Sequence, residues 1–439
     1  MTGPEPTPVT SNWGRYGRRP LVVLCLVGLV DAVDRGVVPA VLPAMQNELG
    51  FTDFQAGLLN TALIVAAVLL AIPGGLLADR LDRRKLMGGV LVLWSLSTVL
   101  VGLAQRYWQV FSMRAALGAG DAINDPAAQS LVADYYPVAV RGRAYAFQRV
   151  VPTVGLGLGT IVGGILLGWF GWRVAVVAIA APGILVALMV RRLPLPPRGE
   201  ADGAIAVRET VPTSWSCIKA VVRVPSLRVL LLATAFINGI LSALGFWGVA
   251  YHVRASDLSE AQAAAVGGGV ILLGAIAGGV AGGIVTDKIR GRVRGAPMLL
   301  AAVVTALGTL FLFVSFLDGI PVYSVRLPLQ MIGVGLVVSS LPPLTVITAE
   351  VVPADLRGSS FGIVKLCANL LGAVTPALIG LIADNHLILV DGESKGDLGF
   401  AFRSTMWVML IGSALLLLGR RYVDRDTAAA LRADALHPD

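Results

Sequence analysis

Long stretches of this chain run for ten or more residues without a charge, among them Leu21–Val30, Thr61–Gly75, Val90–Leu103, Val174–Val190, Val229–Ala250, Ile271–Ile284, Met298–Phe316 and Val408–Leu418. A helix that crosses a bilayer needs roughly 20 mostly apolar residues, and several of these runs reach that with weakly polar flanks. Only 14% of the 439 residues are charged, against about a quarter in soluble domains. Too little polar sequence is left to clothe a soluble surface. The chain is therefore expected to be an all-α integral membrane protein, because in lipid the backbone must satisfy its own hydrogen bonds.

The net charge of +8 would suit a nucleic-acid partner, but its distribution excludes one. Four basic residues crowd Asp79–Lys85 and four more crowd Lys288–Arg294. Gln46–Gln55 has none and Ala104–Trp108 has one. This alternation follows the positive-inside rule. It places both termini in the cytoplasm and demands an even number of spans. The expected spans are Leu21–Gln46, Gln55–Ala78, Lys85–Ala104, Trp108–Asp134, Arg143–Leu167 and Trp172–Leu193. The second set is Arg228–Tyr251, Glu260–Val285, Pro297–Leu317, Pro321–Glu350, Ser360–Ala383 and Phe402–Tyr422. Residues 1–20 form an N-terminal tail, 21–193 and 228–422 the two halves, 194–227 a linker rich in Pro and Gly, and 423–439 a C-terminal tail. Trp215–Val224 reads as an interfacial amphipathic helix. Cys25, Cys217 and Cys367 show no metal or disulfide spacing.

The halves repeat. Asp134-Tyr-Tyr-Pro137-Val-Ala-Val-Arg141-Gly142 returns 216 residues later as Glu350-Val-Val-Pro353-Ala-Asp-Leu-Arg357-Gly358. Gly75-Leu-Leu-Ala-Asp79-Arg80 returns 208 residues later as Gly283-Ile-Val-Thr-Asp287-Lys288. Two motifs recurring in order define two parallel six-helix halves, with a substrate site between them.

Ionisable residues inside a span are costly and usually face a cavity or a partner. Asp31, Asp34 and Arg35 are spaced i, i+3 and i+4, on one face of the first span. Arg114, Asp121 and Asp125 share a face of the fourth. These faces are expected to meet, with Arg35 or Arg114 holding a carboxylate ionised in one state and releasing it to a proton in another. A static network that fixes packing is the alternative. Arg149 and Lys365, 216 residues apart, place one cation in each half at equivalent depth, as an anionic headgroup would need; snorkelling is the alternative. Asp125, Asn238 and Trp247 are further candidate substrate contacts, although amides and hydroxyls also join helices. Asp79, Arg80, Arg83 and Arg84 are expected to latch the halves together, and Asp134, Arg141, Asp287, Glu350 and Arg357 belong to the same recurring loops.

The segment Gly75-Leu-Leu-Ala-Asp79-Arg80-Leu-Asp82-Arg83-Arg84 resembles the signature loop of the major facilitator superfamily, with Asp82 in place of the usual Gly. Further segments narrow the resemblance. They are Asp34-Arg35 followed by Val41-Leu42-Pro43; Arg114-Ala-Ala-Leu-Gly118-Ala-Gly120-Asp121-Ala122; Pro152-Thr-Val-Gly155-Leu-Gly157-Leu-Gly159; and Thr375-Pro376-Ala-Leu-Ile-Gly380-Leu-Ile-Ala-Asp384. Together, from about Asp31 to Asp384, they resemble the spinster branch.

The resemblance implies the major facilitator fold, about twelve helices, and proton-linked carriage of lysophospholipids or sphingosine phosphate. It assigns protonation and gating to an acid before Arg in the first span, which Asp34 matches. A Glu in the fourth span shares that role, and Asp121 stands in its place. Asp31 replaces the family's Asn. The expected function is alternating-access transport of a single-chain amphipathic anion, with the proton gradient as energy source and no cofactor. Drug efflux, small organic-anion transport and a non-transporting membrane sensor are the alternatives. No nucleophile–base or metal constellation points to an enzyme. The expected form is a monomer in a bacterial plasma (inner) membrane.

Overall fold

The computed structural model describes residues 13, 15–196, 214–256, 258–289, 295–353, 356–390 and 392–436. Side chains at 72, 75–76, 78–80, 125–126, 138–139, 142, 146, 149–150, 153, 214–218, 357–359 and 433–436 are outside that description. The first half contains α1 (Arg19–Leu49), α2 (Asp53–Arg80), α3 (Arg83–Gly102), α4 (Tyr107–Tyr135) and α5 (Val138–Arg191). α6 (Ser214–Arg223) follows in the linker. The second half contains α7 (Pro225–Ala255), α8 (Glu260–Ile289), α9 (Ala296–Ser315), α10 (Leu327–Val338), α11 (Leu341–Glu350), α12 (Arg357–Asp384), α13 (Leu398–Thr405) and α14 (Val408–Leu436).

Among the described residues nine helical runs are long and apolar enough to cross a membrane. One of them, Val154–Arg191, covers two crossings. A straight α5 of 54 residues would measure about 80 Å, far beyond the hydrocarbon thickness. It doubles back at Gly171, whose φ of 80° and ψ of 165° suit a residue without a Cβ. The arms 138–170 and 172–191 are the expected fifth and sixth spans. α1 and α4 fall short of the apolar criterion because of the charges and amides they carry. With these two and the second arm, twelve crossings result.

Helix ends repeat the pseudo-symmetry at a third place. Thr52 and Gln55 form a reciprocal capping box at the start of α2. Ser259 and Gln262 do the same before α8, with bonds of 3.1 and 3.3 Å. Within the first half, close helix approach rests on small residues. A Cβ at Gly159 would strike the Val33 backbone of α1, and one at Gly118 the Leu63 carbonyl of α2.

Three features differ from the expected spans. The tenth begins with a π-turn over Val322–Arg326 and breaks at Ser339 and Ser340 between α10 and α11. Pro342 and Pro343 supply no N–H to continue the ladder. The twelfth is interrupted after α13, and α14 runs on to Leu436. A hairpin, β1 (Leu387–Val390) antiparallel to β2 (Glu393–Gly396), joins α12 to α13.

Gly118→Ala forces a Cβ against backbone that has no rotamer to yield, and is expected to destabilise the protein by about 1–3 kcal/mol. Gly89, with open space around its Cβ position, is the control: Gly89→Ala should be neutral or stabilising by up to about 1 kcal/mol. Thermal melts of the two variants in detergent check this.

Candidate functional site: a charged cavity closed at one end

A cavity of about 620 Å³ lies between the halves. α1 contributes Leu24, Val27, Asp31 and Arg35; α4 contributes Asp121, Asn124 and Gln129; α12 contributes Lys365, Leu366 and Asn369. α2 contributes only apolar side chains, including Leu63, Ile64, Ala67, Val68 and Ala71. The lining is thus amphipathic, with its charges on α1, α4 and α12.

Arg35 is shared between two carboxylates. Its Nε lies 3.1 Å from Asp31 Oδ1, one helical turn away, and its Nη2 pairs with Asp121 Oδ2 across the α1–α4 interface. Asp34 turns out of the cavity, although it follows Asp31 by three residues. Three residues advance a helix by 300°, which displaces Asp34 about 60° around α1. It accepts a hydrogen bond of 2.7 Å from Thr98 Oγ1 on α3, and Arg114 Nη1 stands 3.8 Å from its other oxygen. Arg114 itself is buried. The first and fourth helices do meet through their charged residues, but in two adjacent layers.

The expected substrate contacts divide. Lys365 lines the cavity and is solvent-accessible. The Asp125 and Arg149 side chains lie outside the described residues. Asn238 and Trp247 are not among the residues that line this cavity. Asn238 Nδ2 donates to Ala368 O at 2.9 Å, and Trp247 Nε1, fully buried, donates to Pro376 O at 2.8 Å. Both polar groups join α7 to α12.

The described gating side chains lie at the α2–α3 and α4–α5 turns and at the ends of α8 and α11. Arg83 is buried against Asp134, at 2.5 Å, and Ser130, at 2.5 Å. Arg84 bonds Asp82 at 3.0 Å and the Leu193 carbonyl at 2.6 Å, and it holds the Asp82 carboxyl below the usual range. Arg141 donates to the carbonyls of Tyr136, at 3.0 Å, and Ala133, at 2.9 Å, closing the end of α4. Among the described residues these bonds stay within the first half. Asp287 is exposed and Glu350 half-buried. The Asp79, Arg80 and Arg357 side chains lie outside the described residues.

The halves are tied at the opposite end of the helices, by residues that the sequence did not single out. Arg254 of α7 makes a bidentate pair with Asp53 of α2, at 2.6 and 2.7 Å. Both side chains are under one-tenth exposed. Gln46 donates to Asp53 at 2.8 Å, and Arg254 also donates to Gly396 O of the hairpin at 2.9 Å. Asp384, at the end of α12, accepts from the backbone N–H groups of Asp53 and Phe54 at 3.0 and 2.8 Å. A carboxylate of one half therefore caps a helix of the other, where the helix dipole favours it. One turn or two deeper, Asn60 donates to Gly372 O at 3.2 Å and Thr61 to Ala373 O at 2.6 Å. A Cβ at Gly57 would strike the backbone of Ala377.

This end is sealed, and the cavity runs from it toward the end that carries the α2–α3 turn. Breaking a buried ion pair by removing one partner costs about 3–5 kcal/mol. Asp53→Ala is expected to raise labelling of a cysteine at Asn60 by an impermeant maleimide applied from the sealed side, by about a hundredfold. An unchanged labelling rate would show that the pair does not hold the seal.

The sequence profile of the Major Facilitator Superfamily matches residues 24–376. Spinster homolog 3 of Danio rerio is 28% identical over 456 aligned positions, covering 98% of this chain and 90% of the relative. Spinster homolog 1 of Xenopus laevis is 26% identical, covering 94% and 83%. Among solved structures, a bacterial homolog to the human lysosomal transporter spinster, in an inward-facing and unoccupied conformation, superposes with a TM-score of 0.79 at 23% identity, covering 95% of this chain and 99% of that one. The nucleoside transporter NupG shares the fold at a TM-score of 0.72 and 14% identity, covering 91% and 99%. The chain belongs to the major facilitator superfamily of transporters and resembles its spinster branch.

Proposed function

We propose that this protein is a secondary transporter that couples proton movement to the transport of lysophospholipids or related single-chain amphipathic anions. The observation that carries the reading is the amphipathic cavity. An aliphatic wall from α2 suits one acyl chain, and the charges on α1, α4 and α12 suit a polar headgroup. Lys365 is the cation placed to meet a phosphate, with Arg149 as its counterpart in the other half. The superfamily match and the bacterial homolog to the lysosomal transporter spinster support transport as such.

Charge balance supports proton coupling. Asp31 and Asp121 face the Arg35 guanidinium, and Asp34 faces that of Arg114 in the adjacent layer. With every group ionised the cluster carries one surplus negative charge, and a single proton neutralises it. A proton on Asp34 would release Arg114, and one on Asp31 or Asp121 would leave Arg35 with a single partner. Either change alters the contacts between α1, α3 and α4.

In this reading the cavity opens to the cytoplasm, where both termini and the basic α2–α3 turn lie, and the Asp53–Arg254 seal closes the outer face of a bacterial plasma membrane. The Asp79, Arg80, Asp287, Glu350 and Arg357 side chains would latch the inner face when the cavity reverses. One chain suffices for the cycle.

Uptake of labelled lysophosphatidylethanolamine into proteoliposomes tests the proposal. A proton gradient should stimulate wild-type flux about tenfold, and Asp34→Asn should lose that stimulation. Absence of wild-type flux, with the protein shown to be folded, would reject the lipid substrate and direct the search to drugs and small organic anions.

A further inference from the structure

The corner of the first half where α1 and α5 begin carries cations with no acid in their own segments. Residues 6–30 and 135–199 contain no Asp or Glu, and Asp134, just before the second stretch, is buried against Arg83. The chain ahead of α1 folds back onto the start of α5. Trp13 meets Tyr136 edge-on, with ring centroids 6.1 Å apart, and Phe147 at 6.5 Å. Tyr16 stands edge-on to Tyr135 at 5.2 Å. The Tyr136 hydroxyl accepts from Leu21 N at 2.9 Å and donates to Gly17 O at 3.0 Å. Rings and backbone bonds thus fix the segment.

Two guanidiniums lie over the Trp13 ring, Arg18 at 5.5 Å from its centroid and Arg143 of α5 at 5.8 Å. Both side chains are exposed, and among the described residues neither is paired with a carboxylate. Apolar surface is exposed beside them, at Val22, one turn on from Arg18, and at Phe147, each 53% exposed. Val22 lies on the side of α1 opposite Leu24, Gly28, Asp31 and Arg35, which line the cavity.

We infer that Trp13, Arg18 and Arg143 form a docking surface for an anionic phospholipid of the cytoplasmic leaflet, in the orientation proposed above. Its phosphate sits on the two guanidiniums and its acyl chains lie against Val22 and Phe147. A guanidinium meets phosphate oxygens with paired N–H bonds. Trp favours the level of the headgroups, and basic residues beside a span attract the anionic lipids of that leaflet. The Trp13 ring already orients both cations, so less side-chain freedom is lost on binding. One bound lipid joins the chain ahead of α1 to the start of α5, from the bilayer side and apart from the transport cavity.

The test uses the full chain in detergent with phosphatidylglycerol or phosphatidylcholine of matched acyl chains, read by native mass spectrometry and thermal melts. At low salt the wild type should retain phosphatidylglycerol about tenfold more tightly than phosphatidylcholine, and should melt at a higher temperature with it. About 1 M salt should remove most of the preference. Arg18→Gln combined with Arg143→Gln should also remove most of it, and the corresponding pair of Lys substitutions should keep most of it. Arg421→Gln, which removes an exposed cation from the second half, should leave it unchanged. Each single Gln variant should lose part of the preference, which keeps the test decisive if the pair does not fold.

Equal retention of the two lipids by the wild type would overturn the inference, as would Gln variants that keep the full preference. A Lys pair that loses as much as the Gln pair would overturn it in favour of ring stacking that only shapes the segment. An equal loss in Arg421→Gln would reduce the effect to net charge and remove the site. None of these readouts involves flux, so a negative result leaves the transport reading standing.

Discussion

Asp53 is the residue on which the rest of the arrangement depends. Its carboxylate binds Arg254 of the other half and Gln46 of its own, and its backbone N–H is capped by Asp384. One residue, through its side chain and its backbone N–H, thus ties α1, α2, α7 and α12 at the same level, and Arg254 Nη1 also donates to the hairpin carbonyl of Gly396. A hydrophobic plug of similar size could be as stable. An ion pair differs in that water can rehydrate both partners when the halves part. The same contact can therefore be tight when closed and releasable when open, as alternating access requires.

Above that seal the halves approach through small residues and backbone. Gly57 against Ala377, and Gly157 against Gly268 and Leu272, leave no room for intervening side chains. Toward the other end Arg83, Arg84 and Arg141 make bonds within the first half, and the cavity occupies the space between the halves. The charged cluster lies between these two regimes. Arg35 is shared by two carboxylates, and Arg114 with Thr98 holds a third. A change of one proton there acts on α1 and α4 directly. α1 also packs along the first arm of α5 through Gly159, so the effect reaches the helix that borders α8.

The twelve crossings were legible because long charge-free runs have few other fates, and the halves were legible because two motifs recur at nearly constant spacing. Even the α5 turn lay in the expected gap between Leu167 and Trp172. The break between α10 and α11 was written in Pro342 and Pro343, within what reads as a single span. The seal was not legible. Asp53 after Thr52 looks like an ordinary residue of a helix first turn, and Arg254 like an ordinary cation of a last turn. Nothing local says that these two, 201 residues apart, meet. The bonds of Asn238 and Trp247 to α12 carbonyls were hidden for a related reason: an amide or indole inside a span has the same sequence signature whether it faces a cavity or a neighbouring carbonyl.

The central claim is that one face closes while the other opens, under control of the buried charges. Spin-label distances measured across both faces of the same protein test it most directly. With the native cysteines replaced, one pair at Glu48 and Asn385 reports the sealed face, and another at Lys85 and Lys288 the cavity face. Acidification from neutral pH should shift the two distance distributions in opposite directions, with Asp34→Asn insensitive to it. Distributions that stay fixed, or that widen together, while the protein continues to transport, would contradict the account.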